Sequence, residues 1–535
     1  MNYSVKLFLS LLLIYTTNAK SQVNKSKAKV LFRAEVQSLQ QYECPEWFRD
    51  AKFGIYCHWN AQSASKSENN GWYARDMYVQ GSPAYNDHLK NWGHPSEVGY
   101  KDIIANWKAD KFNAKEWVAL FKRSGAKYII TMAVHHDNFD MWNSKYQPKW
   151  NSTKFGPKVD VCREIKNETL KAGLHWGVTT HLERTYSWFQ TNKLADKTGK
   201  YKDIPYDGNN KADQDLYLPY PDFASLGSAD DQLRHPLKSP MMWRDMWKNR
   251  MYDLIDNYDP DFFYFDGALP FMDDGGKSGM EVLAHYYNHN AAKHNGRNEG
   301  VMVIKNITRH GYFYPGVSSV ALERQYSDSI QKSPQVTDES IGPWFHTGTN
   351  AEYKSSGDII NMLADVVSKN CNFLLNIPPR ADGTFDEAAK TALREIGDWM
   401  KINGSAIYAT RPWKTFGEGN VRFTTKRDTL NVILRQSPKN IVFLGSFKGW
   451  KTGDIKKIEL LGSNSKIEYR LTAEGLLIIP PKSLNSPLAS VFKVTCRNLA
   501  SLPSTRVSLE STKKLNDNAE KKYGADGHGN NKINN

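Results

Sequence analysis

Cysteine is scarce and scattered in this chain of 535 residues. Its five cysteines (Cys44, Cys57, Cys162, Cys371, Cys496) form no CxxC pair and no Cys/His spacing of the kind that holds zinc. Neither a disulfide framework nor a metal centre is expected. Long apolar runs are missing beyond the N-terminus. The one run, Leu7 to Tyr15, follows Lys6 and precedes Thr17-Asn18-Ala19. It is too short to span a bilayer and reads as a signal peptide, residues 1–19, cleaved after about Ala19. No cysteine follows the cleavage point, so a bacterial lipid anchor has no attachment residue. A soluble product, secreted or periplasmic and without a membrane anchor, is expected. An acidic excess is lacking too: 71 Lys and Arg face 57 Asp and Glu, a net charge of +14. The basic residues are spread along the whole chain instead of forming a stripe. For a secreted protein this favours an acidic polysaccharide partner and no nucleic acid.

Aromatic residues are plentiful, with 16 Trp, 27 Tyr and 23 Phe, enough to wall a sugar pocket as well as to fill a core. The length exceeds what one core usually organises, so two domains are expected. From Trp47 to about Asn403, apolar β-rich runs alternate with amphipathic stretches, the rhythm of parallel strands with crossover helices. Strands are read at Phe53–Cys57, Tyr128–Ala133, His175–Thr179 and Phe262–Phe265, and helices at Lys115–Arg123, ending near Gly125, and Met246–Ile255. Each strand ends at polar residues: His58, His135 and His136, His181, and Asp266. A β/α barrel builds its chemistry at those ends, so the expected fold class is α/β, a catalytic (β/α)8-like barrel over residues 42–405. A doubly wound sheet is the other arrangement this rhythm allows. From about Ala406 the pattern changes to short alternating strands (Val421–Phe423, Leu430–Leu434, Ile455–Leu461), read as a C-terminal antiparallel β-sandwich over 406–497. Residues 498–535 are polar and read as a disordered tail.

Several segments resemble one family. They are WFRDAKFGIYCHW (47–59), GWYARDMY (71–78), FNAKEWVALFKRSGAKYIITMAVHHDNFDMWNSKY (112–146), YFDG (264–267), LLNIPPRADG (374–383) and IGDWMKINGSAIYATRPW (396–413). These are similar to the α-L-fucosidases, family 29 of the glycoside hydrolases, over most of the chain. The resemblance implies a retaining exo-glycosidase without cofactor, acting on terminal α-L-fucosyl residues of an oligosaccharide or polysaccharide. In such an enzyme one carboxylate attacks the anomeric carbon while a second carboxyl, roughly 5 Å away, protonates the leaving oxygen and then activates water.

Asp266 matches the nucleophile of the family's strand-end FDG. For the acid/base the resemblance points to Glu323, matching the Glu of an ERG segment that here reads Glu323-Arg324-Gln325. Glu339, in Thr337-Asp338-Glu339-Ser340-Ile341-Gly342, is the rival. His58, His135 and His136 match histidines that bond fucose hydroxyls, and both adjacent histidines could meet one sugar only where the strand has ended. Trp72 and Tyr73 match the family's sugar-contacting EWY or DWY, but Gly71 stands where the acidic residue is usual. His181, Tyr264 and Trp344 complete the expected substrate-binding set. Gly71 removes a hydroxyl acceptor and opens space, which suits a sugar carrying sulfate. It also keeps two other readings open: a related exo-glycosidase for a fucose- or galactose-like sugar, and a non-catalytic carbohydrate-binding protein.

Overall fold

A computed structural model describes residues 31–67, 71–219, 233–346, 348, 351–436, 440–481 and 488–524. The segment read as a signal peptide lies outside them. Eight parallel strands close into a barrel in sequence order: β1 Phe53–Cys57, β2 Tyr128–Val134, β3 His175–Thr180, β4 Phe262–Phe265, β5 Val301–Lys305, β6 Ser319–Ala321, β7 Gln335–Ser340 and β8 Cys371–Asn376. β1 pairs with both β2 and β8, and that closure excludes a doubly wound sheet.

Alternate residues of these strands face opposite ways. Tyr56, Tyr128, Ile130, Phe262, Tyr264, Val301, Val303, Val336 and Leu374 pack on one another inside the barrel. Their neighbours Ile55, Ile129, Phe263, Met302, Phe373 and Leu375 face the surrounding helices. Each such side chain removed from water contributes about 1.5–3 kcal/mol, so the barrel floor is a packed core and only its C-terminal mouth is available for a ligand. The helix expected at Lys115–Arg123 spans Ala114–Arg123, capped by Asn113, and Gly125 beyond it takes φ +97°. The one expected at Met246–Ile255 is longer, Met241–Tyr258.

Two antiparallel sheets follow. One has the order β13-β16-β11-β10-β9 and the other β12-β15-β14, where β9 is Arg411–Glu418, β10 Val421–Lys426, β11 Thr429–Leu434, β12 Val442–Leu444, β13 Ile455–Leu460, β14 Glu468–Leu471, β15 Leu476–Ile479 and β16 Ser490–Cys496. Phe423, Val432, Phe492 and Val494 of the first sheet meet Leu444, Leu476 and Ile478 of the second in one core, making a β-sandwich. All five cysteines are free thiols. Among the described residues no helix is long and apolar enough to cross a membrane.

Both ends of the described chain depart from the sequence reading. The stretch read as a disordered tail carries a helix, Leu509–Tyr523, capped by Ser508. Leu515, Ala519 and Tyr523, spaced four apart, form a stripe that packs on Ile441, Phe443, Leu477 and Ile479. Asn516 also accepts a hydrogen bond from the Phe443 amide at 3.1 Å. At the other end the ordered chain begins before residue 42. Asn288 accepts from the amides of Leu31 and Phe32, and the Phe32 ring lies 5.0 Å from that of Tyr287.

Candidate active site

Every barrel strand brings a polar side chain to the mouth. His58 follows β1, His135 and His136 follow β2, His181 follows β3 and Asp266 follows β4. Lys305 ends β5, Glu323 lies just past β6, Asp338 is on β7 and Asn376 ends β8. All but Asn376 line a cavity of about 320 Å³, whose walls also include Tyr56, Gly71, Trp72, Arg184, Trp344 and Phe345. That volume suits one sugar residue.

Asp266 is fixed from both sides. Its amide donates to Thr180 O at 3.0 Å. His181 Nδ1 meets Oδ2 at 2.5 Å, and Lys305 Nζ meets Oδ1. Burial would raise its pKa, but the charges of His181 and Lys305 prevail and hold the carboxyl well below the usual range. The same Lys305 ammonium meets Glu323 Oε2 at 2.7 Å. The nearest oxygens of Asp266 and Glu323 therefore stand no more than about 5 Å apart, bridged by one ammonium. Burial would lower the Lys305 pKa, yet Asp266, Glu323 and Asp338 raise it, so the ammonium stays charged.

Asp338 is the third carboxyl. Tyr56 and Tyr264 hydroxyls both donate to its Oδ2 at 3.3 Å, and Oδ1 is buried without a protein partner. Burial raises its pKa; Lys305 lowers it, and the like charges of Glu323 and Asp266 push it back up to about 7. Two carboxyls of one pocket are thereby driven apart, Asp266 down and Asp338 up.

The histidines supply both donors and acceptors. Asn376 Oδ1 accepts from the His58 amide and from His58 Nδ1, at 2.9 and 3.0 Å, which leaves His58 Nε2 as an acceptor. Gln62, whose Oε1 accepts from the Ala74 amide, donates through Nε2 to His135 Nδ1 at 3.4 Å, so His135 Nε2 carries the proton. Arg184 Nη2 donates to His136 Nε2 at 3.3 Å, which puts the proton of His136 on Nδ1, itself buried and unpaired within the protein. Burial pushes His58 down to about 3 and holds His135 and His136 well below 6.5, so these rings are neutral. One ring nitrogen from each of His58, His135 and His181 lies within 4.8 Å of the others, close enough to grip a cation. The mixture of donors and acceptors fits hydroxyl groups better, since a hydroxyl gives and takes at once.

A family model described as Alpha-L-fucosidase matches residues 18–405. The chain belongs to the α-L-fucosidase family. It is a glycoside hydrolase. The tissue alpha-L-fucosidase of Mus musculus is 27% identical over 476 residues, covering 87% of this chain and 94% of the mouse protein. The human plasma alpha-L-fucosidase is 26% identical, covering 83% and 88%. The Thermotoga maritima alpha-fucosidase in complex with fucose superposes with a TM-score of 0.67 at 25% identity, over 87% of this chain and all of that one.

Within this fucosidase fold the two acid/base candidates part company. Glu323 is in the cavity wall. Glu339 is out of phase with the inward residues of β7 and does not line the cavity. It is buried against Arg324 and Lys354, both at 3.5 Å, and accepts from Tyr326 at 3.2 Å. Arg324 in turn covers the Trp344 ring at 5.1 Å, so Glu339 stands behind a wall of the pocket. Trp72 lines the cavity, with the guanidiniums of Arg184 and Arg234 5.6 and 5.2 Å from its ring. Tyr73 does not line it. The residue opens a short helix, Tyr73–Asp76, and turns inward, where its hydroxyl meets His88 Nδ1 at 2.5 Å. Tyr264 lies one layer below the cavity and acts through Asp338. Tyr73→Phe is accordingly expected to cost about 1 kcal/mol of stability and leave kcat/KM unchanged. A fall in kcat/KM at unchanged Tm would return Tyr73 to the sugar.

Lys305, Asp338, Arg184, His235 and His310 line the cavity without having been singled out in the sequence. The first had a readable signal, because Val301-Met302-Val303-Ile304-Lys305 ends an apolar run in a charge as Phe262–Asp266 does. Lys305→Met removes the ammonium that, together with His181, depresses Asp266. Its carboxyl then titrates at higher pH, so the acid limb of the kcat/KM profile moves upward, and turnover at neutral pH falls about 10²-fold. An unmoved acid limb would separate Lys305 from the group that sets it.

Proposed function

We propose that the protein is a secreted, exo-acting α-L-fucosidase that releases terminal α-L-fucosyl residues with retention of configuration, by double displacement and without a cofactor. The observation that carries this reading is the single ammonium of Lys305 touching both Asp266 and Glu323. Asp266 attacks the anomeric carbon as Glu323 passes its proton to the departing oxygen. The negative charge thus moves from Asp266, now an ester, to Glu323. Lys305 contacts both, so charge balance holds without the cation moving. Glu323 then takes a proton from water, whose oxygen attacks the same carbon and frees Asp266. His181 keeps the nucleophile aimed throughout. Fucose as the sugar is supported by family membership and by the Thermotoga relative's complex with fucose.

The test is turnover of a chromogenic α-L-fucoside beside its α-galactoside counterpart, with proton NMR of the first product. The α-anomer should appear first; the β-anomer first would end the double-displacement reading. Binding of both substrates with turnover of neither would mean a lectin-like protein. Secretion rests on the leader pattern, and the mature chain should begin near Lys20 when its N-terminus is sequenced.

The finer reading of the substrate is a fucose-containing glycan that bears negative charge, such as a sulfated polysaccharide. Three features support it: a net charge of +14, the Arg184 guanidinium on the cavity wall, and Gly71 at the position where the resembled EWY or DWY motif has its acidic residue. Gly71 has φ +100°, and a Cβ there would stand 3.2 Å from Phe345. A glutamate at this position would meet backbone strain as well as Phe345, so the backbone itself keeps the acidic group out. Attraction of a polyanion by a basic surface weakens with salt, over a Debye length of about 8 Å at physiological ionic strength. Sulfated oligosaccharides should therefore show higher kcat/KM than desulfated ones, with the ratio falling as salt rises and narrowing in Arg184→Gln. Equal rates at every salt concentration would exclude sulfate recognition.

A further inference from the structure

The outer face of the barrel holds a second group of metal-ligating side chains, which the chemistry above does not use. Two helices flank β4, the strand that carries Asp266: Met241–Tyr258 before it and Lys277–Lys293 after it. His285 and His289 stand four residues apart on the second helix, hence on one face. Asp256, in the last turn of the first helix, points at both. Its Oδ1 lies 2.6 Å from His285 Nε2 and 3.4 Å from His289 Nδ1. One ligand atom from each of the three residues lies within 4.8 Å of the other two.

We infer that Asp256, His285 and His289 form a binding site for a divalent transition cation of the zinc type. Zinc takes imidazole nitrogen and carboxylate oxygen at about 2.0–2.2 Å, which in a tetrahedron places neighbouring ligand atoms about 3.3–3.5 Å apart. The two carboxylate–imidazole spacings require movements of an ångström or less, and the two imidazole nitrogens, within 4.8 Å, need to close by about 1.5 Å at most. All three side chains reach solvent and can make them, being 37%, 19% and 48% exposed for His285, His289 and Asp256. The neighbouring carboxylate does not compete: Asp259 is claimed by Lys293 at 2.6 Å and by His289 Nε2 at 3.2 Å. Among the described residues Asp256 has no Lys or Arg within ion-pair distance and only the two imidazoles against it, an arrangement that leaves its charge available to a cation. The fourth position faces solvent. A cation held there ties the helix leading into β4 to the helix leading out of it. Its effect falls on stability, and the site is independent of the proposed fucosidase reaction.

The experiment uses the untagged full chain, stripped with EDTA and titrated with ZnCl2. Bound zinc is measured by equilibrium dialysis and Tm by calorimetry. One equivalent is expected at the outer site, with a Tm rise of roughly 2–4 °C at a hundredfold excess over Kd and none with Mg2+, which demands oxygen ligands. His285→Ala, His289→Ala and Asp256→Asn should each abolish that rise while leaving the metal-free hydrolytic rate unchanged. The histidines inside the cavity could take zinc as well, and such binding would show as inhibition that persists in these variants. The proposal is overturned if the double variant His285→Ala/His289→Ala binds as much zinc as the natural chain, if the Tm rise survives in it, or if zinc produces inhibition alone. Should a variant fold poorly, anomalous scattering at the zinc edge from crystals of the natural chain decides the question, since density between the two helices is required.

Discussion

Asp266→Gly is expected to give a folded protein whose kcat on an aryl α-L-fucoside is lower by about 10⁴-fold or more. The loss follows from geometry. Of the three carboxyls that line the cavity, Asp338 is held by the Tyr56 and Tyr264 hydroxyls, and Glu323 is the proposed proton donor to the leaving group. Neither can replace a carboxylate aimed by His181 and Lys305. Folding should survive because the change strands no charge: Lys305 keeps Glu323 as its partner. The backbone anchor from residue 266 to Thr180 O needs no side chain. Added azide should enter from the side that Asp266 occupied and yield the β-fucosyl azide, an inverted product. Calorimetry beside the kinetics separates lost chemistry from lost structure. Substantial turnover by a well-folded variant would remove Asp266 from its role.

Much of this site was legible through period two. Tyr56, Tyr264, Val303, Val336, Leu374 and Ala321 lie in the barrel's interior cluster. Two residues further along each strand's direction stand His58, Asp266, Lys305, Asp338, Asn376 and Glu323. Counting in twos from the buried interior residue thus reaches six groups at the mouth, and it places Glu339, one residue off, on the outside. A single sequence shows the apolar runs but not which parity faces inward, so Glu323 and Glu339 could not be separated by pattern. His135 breaks the count and still lines the cavity, because β2 ends at Val134 and the chain has already turned.

What stayed hidden was set by long-range contacts. Arg184, His235 and His310 come from loops between strands, where neither period two nor helical spacing applies, and only folding brings them to one wall. Tyr73 sits beside a true cavity residue, Trp72, in the same motif. One residue of helix rotates its side chain by about 100°, enough to aim it at His88 instead. The C-terminal helix was obscured by composition. Three stripe residues, Leu515, Ala519 and Tyr523, suffice to dock it on the sandwich, while every other face is free to be polar.

Glu323→Ala tests the other half of the pair and has a signature that a structural role would not produce. An aryl fucoside leaves without help, so its first step should be slowed little, whereas a natural glycan needs the proton and should lose about 10²–10⁴-fold. The second step also lacks its base, so the fucosyl ester on Asp266 should accumulate, seen as a burst of released aglycone. Azide needs no base; it should restore turnover of the aryl substrate and yield the α-fucosyl azide, opposite in configuration to the product of Asp266→Gly. Lys305 keeps Asp266 after the substitution, so the nucleophile stays ionised and the acid limb of the pH profile is retained, while the limb set by Glu323 disappears. Glu339→Ala should show none of this. It would loosen Arg324 over Trp344 and raise KM for the sugar, with kcat little changed. If the burst, the azide rescue and the leaving-group dependence appear in Glu339→Ala and not in Glu323→Ala, the two glutamates exchange roles. The cavity would then have to open around Trp344 for Glu339 to reach the glycosidic oxygen.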